Sequence, residues 1–273
     1  MRILVTGASG FIGNYVVREI LAKGDAEVIV TTRNIESIRN RDWFTDVTAK
    51  EFDLGNLPTN VFAYLESPDR VIHLAWGGLP NYNDIIHTGK IFQESFEFCK
   101  TIVKQGAGHI LVSGTCFEYG LTEGALSVNT PAAPVTEYGR GKNMLREALD
   151  DVFADKKLIF QWARLFYLYG EGQSPNSLYS QVRKAIANGD KVFNMSKGDQ
   201  VRDFLPVEQV AEKIVTLALE GAESGIFNIC SGKPRTVLSL VEDLFASYNY
   251  EIELNKGYYP YPTYEPFAFW GVG

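Results

Sequence analysis

Cysteine and histidine are scarce, three of each in a chain of 273 residues. Cys99, Cys116 and Cys230 lie far apart, form no CxxC pair, and have no histidine at metal-ligand spacing, which argues against a structural zinc or a disulfide framework. A basic excess is also missing: 26 lysines and arginines face 33 aspartates and glutamates, a net charge of −7. Nucleic acid and anionic membranes select basic surfaces, so neither is expected as the main partner. No apolar run approaches the ~20 residues that a membrane-spanning helix needs. Nothing resembling a secretory leader precedes the first strand pattern, "MRILVTG", so the expected location is the cytoplasm. Repeats and low-complexity segments are absent too. With 45% hydrophobic and 22% charged residues, the chain has the ordinary balance of a globular protein.

What is present is an alternation. "MRILVT" is a short β-rich run ending in a glycine-rich turn. Ile12, Val16, Val17, Ile20 and Leu21 then fall on one helical face, with Gly24 as the stop, and Glu27–Thr32 is a second strand. Buried-type strands follow at Arg70–Leu74, His109–Ser113 and Leu158–Leu165, with helical patterns between them at Ile91–Lys104 and Lys142–Phe153. That order implies an α/β fold, a doubly wound parallel sheet with helices on both faces. After Phe166 the character shifts to a Gly/Pro/Ser/Asn cluster. Helices are expected at Leu178–Asn188, Val207–Leu219 and Val237–Ser247, and strands at "RDFLPV" and "GIFNICSG". The Pro- and aromatic-rich end, "GYYPYPTYEPFAFWG", cannot be a regular helix. The expected organisation is a dinucleotide-binding domain over residues 1–166 and a smaller lobe over 167–273, interleaved with the sheet rather than tethered to it.

The turn "TGASGFIG" places Gly7, Gly10 and Gly13 between strand and helix. The first allows the tight turn, the second lets a pyrophosphate reach the backbone, and the third lets helix and strand pack closely. The helix N-terminus, at Phe11, Ile12 and Gly13, offers free N–H groups to phosphate. A dinucleotide is therefore expected here. At the end of the second strand stand Thr31, Thr32, Arg33 and Asn34, with no carboxylate for a ribose 2′-hydroxyl. Arg33 is suited to a 2′-phosphate, which favours NADPH, with NADH as the second choice.

"YGRGK" sets Tyr138 and Lys142 on one helical face, one turn apart. A free phenol titrates near about 10, and a nearby ammonium is expected to bring it toward a range useful for proton exchange. "SGTCFEYG", Ser113–Gly120, adds Thr115, Cys116, Glu118 and Tyr119, any of which could do chemistry.

In this order the motifs resemble the extended short-chain dehydrogenase/reductase family, the NAD-dependent epimerase/dehydratase branch, over nearly the whole chain. "TGASGFIG", "FDLGN", "VIHLAW", "SGTCFEYG", "YGRGK", "RLFYLYGEGQ", "GDQVRDFLPVEQVA" and "FNICSGKP" carry the resemblance. It implies a Rossmann-type sheet and Thr115, Tyr138 and Lys142 as catalytic residues. It also implies contacts to the cofactor from Asp53 and Leu54, from Leu74 and Ala75, and from Tyr138 and Lys142. Trp76, Thr115, Tyr167, Asn176 and Arg202 are implied to line the sugar-nucleotide site, Arg202 holding the diphosphate. Where many members have an asparagine, this chain has Tyr167. The alternative for Arg202 is a salt bridge with Asp203, and Glu118 is expected to be structural more often than in touch with substrate. In the sugar 4,6-dehydratases of the branch an Asp-Glu pair follows the catalytic threonine, whereas Cys116 and Phe117 stand here and cannot act as acid and base.

"LAWGGLPNY", "NGDKVFNMS" and the aromatic end resemble a narrower group, the reductases of dTDP-4-keto-6-deoxyhexoses at C4. The implied function is reduction of a nucleotide-linked keto sugar in deoxysugar biosynthesis, with no metal, by a homodimer. The second reading is a 4-epimerase with tightly bound NAD. A non-catalytic dinucleotide sensor is a third, disfavoured by the retained Tyr/Lys pair.

Overall fold

The computed structural model describes residues 1–24 and 26–273. Its first half is built as β1 (Arg2–Thr6), α1 (Phe11–Lys23), β2 (Glu27–Thr32), β3 (Thr48–Glu51), α2 (Val61–Tyr64), β4 (Arg70–His73) and α3 (Lys90–Gln105). Next come β5 (His109–Thr115), β6 (Gly124–Leu126), α4 (Glu137–Phe153), β7 (Ile159–Leu165) and β8 (Tyr167–Tyr169). The remainder is α5 (Leu178–Asn188), β9 (Val192–Met195), β10 (Val201–Pro206), α6 (Val207–Glu220), β11 (Gly225–Ile229), β12 (Pro234–Thr236), α7 (Val237–Ser247), β13 (Glu253–Lys256) and β14 (Phe269–Gly271).

Seven strands form one sheet in the order β11-β7-β5-β4-β1-β2-β3, and every neighbouring pair is parallel. The central strands β1, β2, β4 and β5 are rich in unbroken apolar runs because both faces are covered. Ile3, Val5, Val28, Val30, Ile72 and Leu111 point to the side where α1 and α6 lie, meeting Val16, Val17, Ile20, Val210 and Ile214. Their chain neighbours Leu4, Ile29, Val71, Ile110 and Val112 point the other way, against Phe98 and Ile102 of α3 and Leu145 and Leu149 of α4. The expected α/β doubly wound sheet is thus the observed one.

After β7 the chain does not leave the sheet for good. α6 packs beside α1, and β11 adds the edge strand next to β7. A smaller unit gathers α5, β9 and α7 around Val182, Phe193, Met195, Leu240, Leu244 and Phe245. A three-stranded sheet, β12-β10-β8, stands between the two. The aromatic end holds no regular helix, as expected from its prolines, and β14 pairs with β6, just past the 3-10 turn that follows β5. No helix among the described residues is long and apolar enough to cross a membrane. No group of three or more His, Cys, Asp or Glu among them could hold a metal ion.

Candidate active site

Strand order reverses around β1, which has β2 on one side and β4 on the other. The carboxyl ends of these strands therefore frame a crevice, the place where parallel sheets bind dinucleotides. A cavity of about 440 Å³ fills it, lined by Gly7, Gly10, Thr31, Thr32, Arg33, Asp53, Leu54, Leu74, Ala75 and Trp76, among others. The glycines are dictated by close approach. Gly7 has φ +74°, and a Cβ on it would stand 2.8 Å from the Ala75 nitrogen. A Cβ on Gly13 would stand 2.2 Å from the Gly7 carbonyl oxygen.

The first intrahelical bond of α1 runs from the Asn14 N–H to Gly10, 3.1 Å, so the N–H groups of Phe11, Ile12 and Gly13 open the helix at the crevice edge. The side chains of Phe11 and Ile12 pack away from the cavity, Phe11 edge-on to Tyr15 and Ile12 in the core. The cradle, the free amides and the cavity fit a dinucleotide.

At the ribose end, Arg33 is exposed and lines the cavity, and its guanidinium has no partner among the described residues. The nearest following carboxylate, Glu36, is engaged by Arg39 through two contacts of 2.8 and 2.6 Å. Asp53 lines the opposite side and also accepts the Gly55 N–H at 3.0 Å. Thr6, Ser9, Phe52, Lys90 and Glu94 join the lining without having been expected. Thr31 and Thr32, read earlier only for lacking charge, were the one visible hint of a polar wall.

The reacting residues meet where β5, α4 and the loop after β4 converge. β5 ends at Thr115, which starts a 3-10 turn, Cys116–Tyr119, and its Oγ1 accepts the Phe117 N–H at 3.3 Å. α4 begins at Glu137 rather than Lys142, because Thr136 caps it by accepting the Gly139 N–H at 3.1 Å. Tyr138 and Lys142 thus occupy its first turns on one face. The glycines between them let the helix close in: a Cβ on Gly139 would be 2.6 Å from the Phe117 oxygen, and one on Gly141 2.3 Å from the His87 oxygen.

The Lys142 Nζ donates to the Ser113 carbonyl at 2.6 Å and lies 4.0 Å from the centre of the Trp76 ring. Burial lowers Lys142 to about 7, while Glu118 and then Cys99 act in the opposite sense. The Tyr138 phenol is pushed up by burial, with the Thr115 hydroxyl working against it. The expected acidification of Tyr138 by Lys142 is therefore not seen in the protein alone, because the ammonium is aimed at Ser113 and Trp76. A protonated phenol is the form that donates.

Aromatic rings surround this phenol. Trp76, Tyr82, His87 and Phe117 have centroids 6.3, 5.8, 5.4 and 5.9 Å from that of Tyr138. Tyr82 and Phe117 stack at 4.9 Å, and Tyr264 from the chain's end lies 5.9 Å from Tyr82. Trp76 donates to His87 Nδ1 at 3.1 Å, so the other ring nitrogen donates to the Asn81 carbonyl at 2.9 Å. His73 is fully buried, held by Thr6 at 2.8 Å, and burial takes it down to about 3. It stays neutral. Cys116 is buried and its thiol pushed up, again by burial first.

Of the expected substrate residues, Trp76 and Thr115 belong to this cluster, and Tyr167 stands beside Phe117 with a buried hydroxyl that has no described partner. Asn176 lies apart, exposed ahead of α5 and away from the cavity. Arg202 is 1% exposed and already occupied. It donates to Glu265 at 2.8 Å and to the carbonyls of Val201 and Phe267, both at 2.9 Å. Its ion-pair partner is not Asp203, which instead accepts the N–H groups of Ser231, Gly232 and Gly271.

Known proteins resemble the chain in sequence and in fold. The chain is 32% identical, over all of itself and all of the relative, to dTDP-6-deoxy-L-talose 4-dehydrogenase (NAD(+)) from Aggregatibacter actinomycetemcomitans. It is 27% identical, over 94% of itself and 83% of the relative, to GDP-6-deoxy-D-talose 4-dehydrogenase from the same organism. The structure of DesIV, a dTDP-glucose 4,6-dehydratase from Streptomyces venezuelae, superposes with a TM-score of 0.81 at 21% identity, covering all of this chain and 88% of that one, and shares the fold. Residues 3–230 match the NAD dependent epimerase/dehydratase family. With the glycine cradle, the Thr115/Tyr138/Lys142 cluster and this match in place, the chain belongs to that family, as a nucleotide-sugar oxidoreductase of the short-chain dehydrogenase/reductase type.

Proposed function

We propose that the chain reduces the C4 keto group of a nucleotide-activated 4-keto-6-deoxyhexose, with NADPH as cofactor and a dTDP-linked sugar as first candidate. The observation that carries this reading is the wall beside the proton donor. Where a dehydratase needs two carboxylates after the threonine, Cys116 is a buried thiol and Phe117 is part of an aromatic stack on Tyr82. Water loss has no acid/base couple here. A hexose offers hydroxyls nearly everywhere, and its one apolar end in the 6-deoxy form is the methyl next to C5. The ring faces of Tyr82, Phe117 and Tyr264 suit that methyl.

Gly7, Gly10 and the α1 amides would hold the dinucleotide, which would supply the hydride. Tyr138, kept protonated by burial, gives its proton to the sugar oxygen. Thr115 accepts the Phe117 N–H and so keeps its own hydroxyl proton for the same oxygen. Lys142 orients the nicotinamide ribose. Arg202 takes the diphosphate if Glu265 yields, since a guanidinium binds carboxylate and phosphate in the same way. Tyr167 and Asn176 of the smaller lobe are proposed to contact the same substrate. Arg33, free of internal partners, supports NADPH although one relative is named for NAD(+). Two copies are proposed to pair through α3 and α4, which carry the partly exposed Phe92, Phe96 and Met144. The protein is proposed to work in the cytoplasm.

The deciding experiment follows nicotinamide absorbance with dTDP-4-keto-6-deoxyglucose and with its C5 epimer, using NADPH and NADH in turn. Consumption of NADPH in preference to NADH supports the reading. Consumption of neither, in a protein that carries stoichiometric NAD through dialysis, replaces it with 4-epimerisation.

A further inference from the structure

We infer that Glu118 is a positioning residue of the reaction: sealed under the turn that follows β5, its carboxylate fixes Thr115 and holds a negative charge beside Lys142. The inference rests on the roles proposed for Thr115 and Lys142.

Glu118 is 0% exposed, so it cannot reach substrate. Its Oε1 accepts the Thr115 N–H at 2.8 Å and the Trp162 indole N–H at 3.0 Å. Its Oε2 accepts Arg164 at 2.7 Å and the same indole at 3.1 Å. Trp162 and Arg164 belong to β7, whose register with β5 sets Gly114 opposite Arg164 and Thr115 opposite Leu165. The carboxylate therefore staples the turn to the neighbouring strand. Space for it is reserved by Gly114: a Cβ there would come within 2.6 Å of Glu118 and 2.2 Å of Trp162. A buried acid is tolerated only with partners that meet both oxygens, and these partners do.

The second half of the role is charge. Lys142 is faced by Cys99 from α3, His73 from β4, Ser113 from β5, the Trp76 ring, and Tyr138 on its own helix. His73 is neutral and Cys99 a thiol pushed up by burial, while the Glu118 carboxylate, paired with Arg164 and bonded to the Thr115 N–H two residues past the Ser113 carbonyl that holds the ammonium, acts to raise Lys142.

The test compares wild type with Glu118→Gln, and with Glu118→Gln/Arg164→Leu in case the single change leaves Arg164 uncompensated and prevents folding. Lys142 is titrated by NMR in the free, 15N-lysine-labelled protein, and kcat and KM for the ketone are measured across pH. Where only the double variant folds, both charges of the pair are gone and kcat alone should fall; in Glu118→Gln the expected result is a lower titration of Lys142. The alkaline limb of kcat/KM should move down with it, kcat should fall about tenfold above that limb, and KM should stay nearly unchanged. Glu118→Gln with Lys142 titrating as in wild type, or, where only the double variant folds, that variant with wild-type kcat, overturns the inference. If wild type consumes no cofactor with either ketone, the proposed function fails, and the Lys142 titration still decides the part of Glu118.

Discussion

The Lys142 ammonium lies between the Ser113 carbonyl, 2.6 Å away, and the face of Trp76, 4.0 Å away, both uncharged. A cation taken out of water holds its proton weakly, which is why Lys142 is lowered to about 7 although the Glu118 carboxylate acts in the opposite sense. Its folded value is below its unfolded one, so the charged form is present below about 7 and is lost as pH rises through it. If turnover needs the ammonium, kcat/KM of the free enzyme should decline on the alkaline side of that value. Lys142→Met should lower activity and flatten this limb, as a pH series of initial rates would reveal.

Tyr138→Phe should reduce kcat by roughly 10²–10⁴, the range expected when a positioned proton donor is removed. The backbone anchor of Tyr138, its N–H to the Tyr82 carbonyl at 2.9 Å, is untouched by the change. Melting should therefore match wild type. Near-normal kcat would take Tyr138 out of the mechanism.

Gly141→Ala should cost about 1–3 kcal/mol, because its Cβ would strike the His87 backbone, 2.3 Å from the oxygen and 2.8 Å from the carbon. The helix can avoid this only by backing away and carrying Tyr138 and Lys142 with it. Denaturant melts and kcat should both report the loss.

Arg33→Ala should raise KM for NADPH by about ten- to a hundredfold, as expected for one lost charge-assisted contact, and leave KM for NADH nearly unchanged. Equal effects on the two cofactors would show that no 2′-phosphate rests there.

Elements that carried their own punctuation were readable from the sequence. α5 and α7 begin and end as expected, since Ser177 and Thr236 cap them and Gly189 closes α5 with φ +71°. β3 was missed because "TAKE" has no apolar alternation and lies at the sheet edge, half exposed. β6 and β14 are three residues each and exist only through each other. The glycine turn and the Tyr138/Lys142 pair stood out in the sequence because fixed spacing encodes them, and Thr115 stood out through the resemblance. The partners of Glu118 and Arg202 did not, because they come from afar. Glu118 finds its partners on β7, and Arg202 finds Glu265, 63 positions along the chain. The aromatic wall has the same origin, assembling Trp76, Phe117, Tyr138 and Tyr264 from four separate segments.

The chain passes from the large sheet to the smaller unit after β7, returns at α6, leaves again after β11 and comes back at β14 beside β6. Two units laced by four crossings cannot swing apart as if on one strap. Whatever closure accompanies substrate binding is confined to small sliding of packed surfaces and to side chains such as Glu265 changing partners. The same lacing means that a protease nicking the exposed Ser174–Asn176 stretch would cut the backbone without releasing either piece, since β11 would still be bonded along β7.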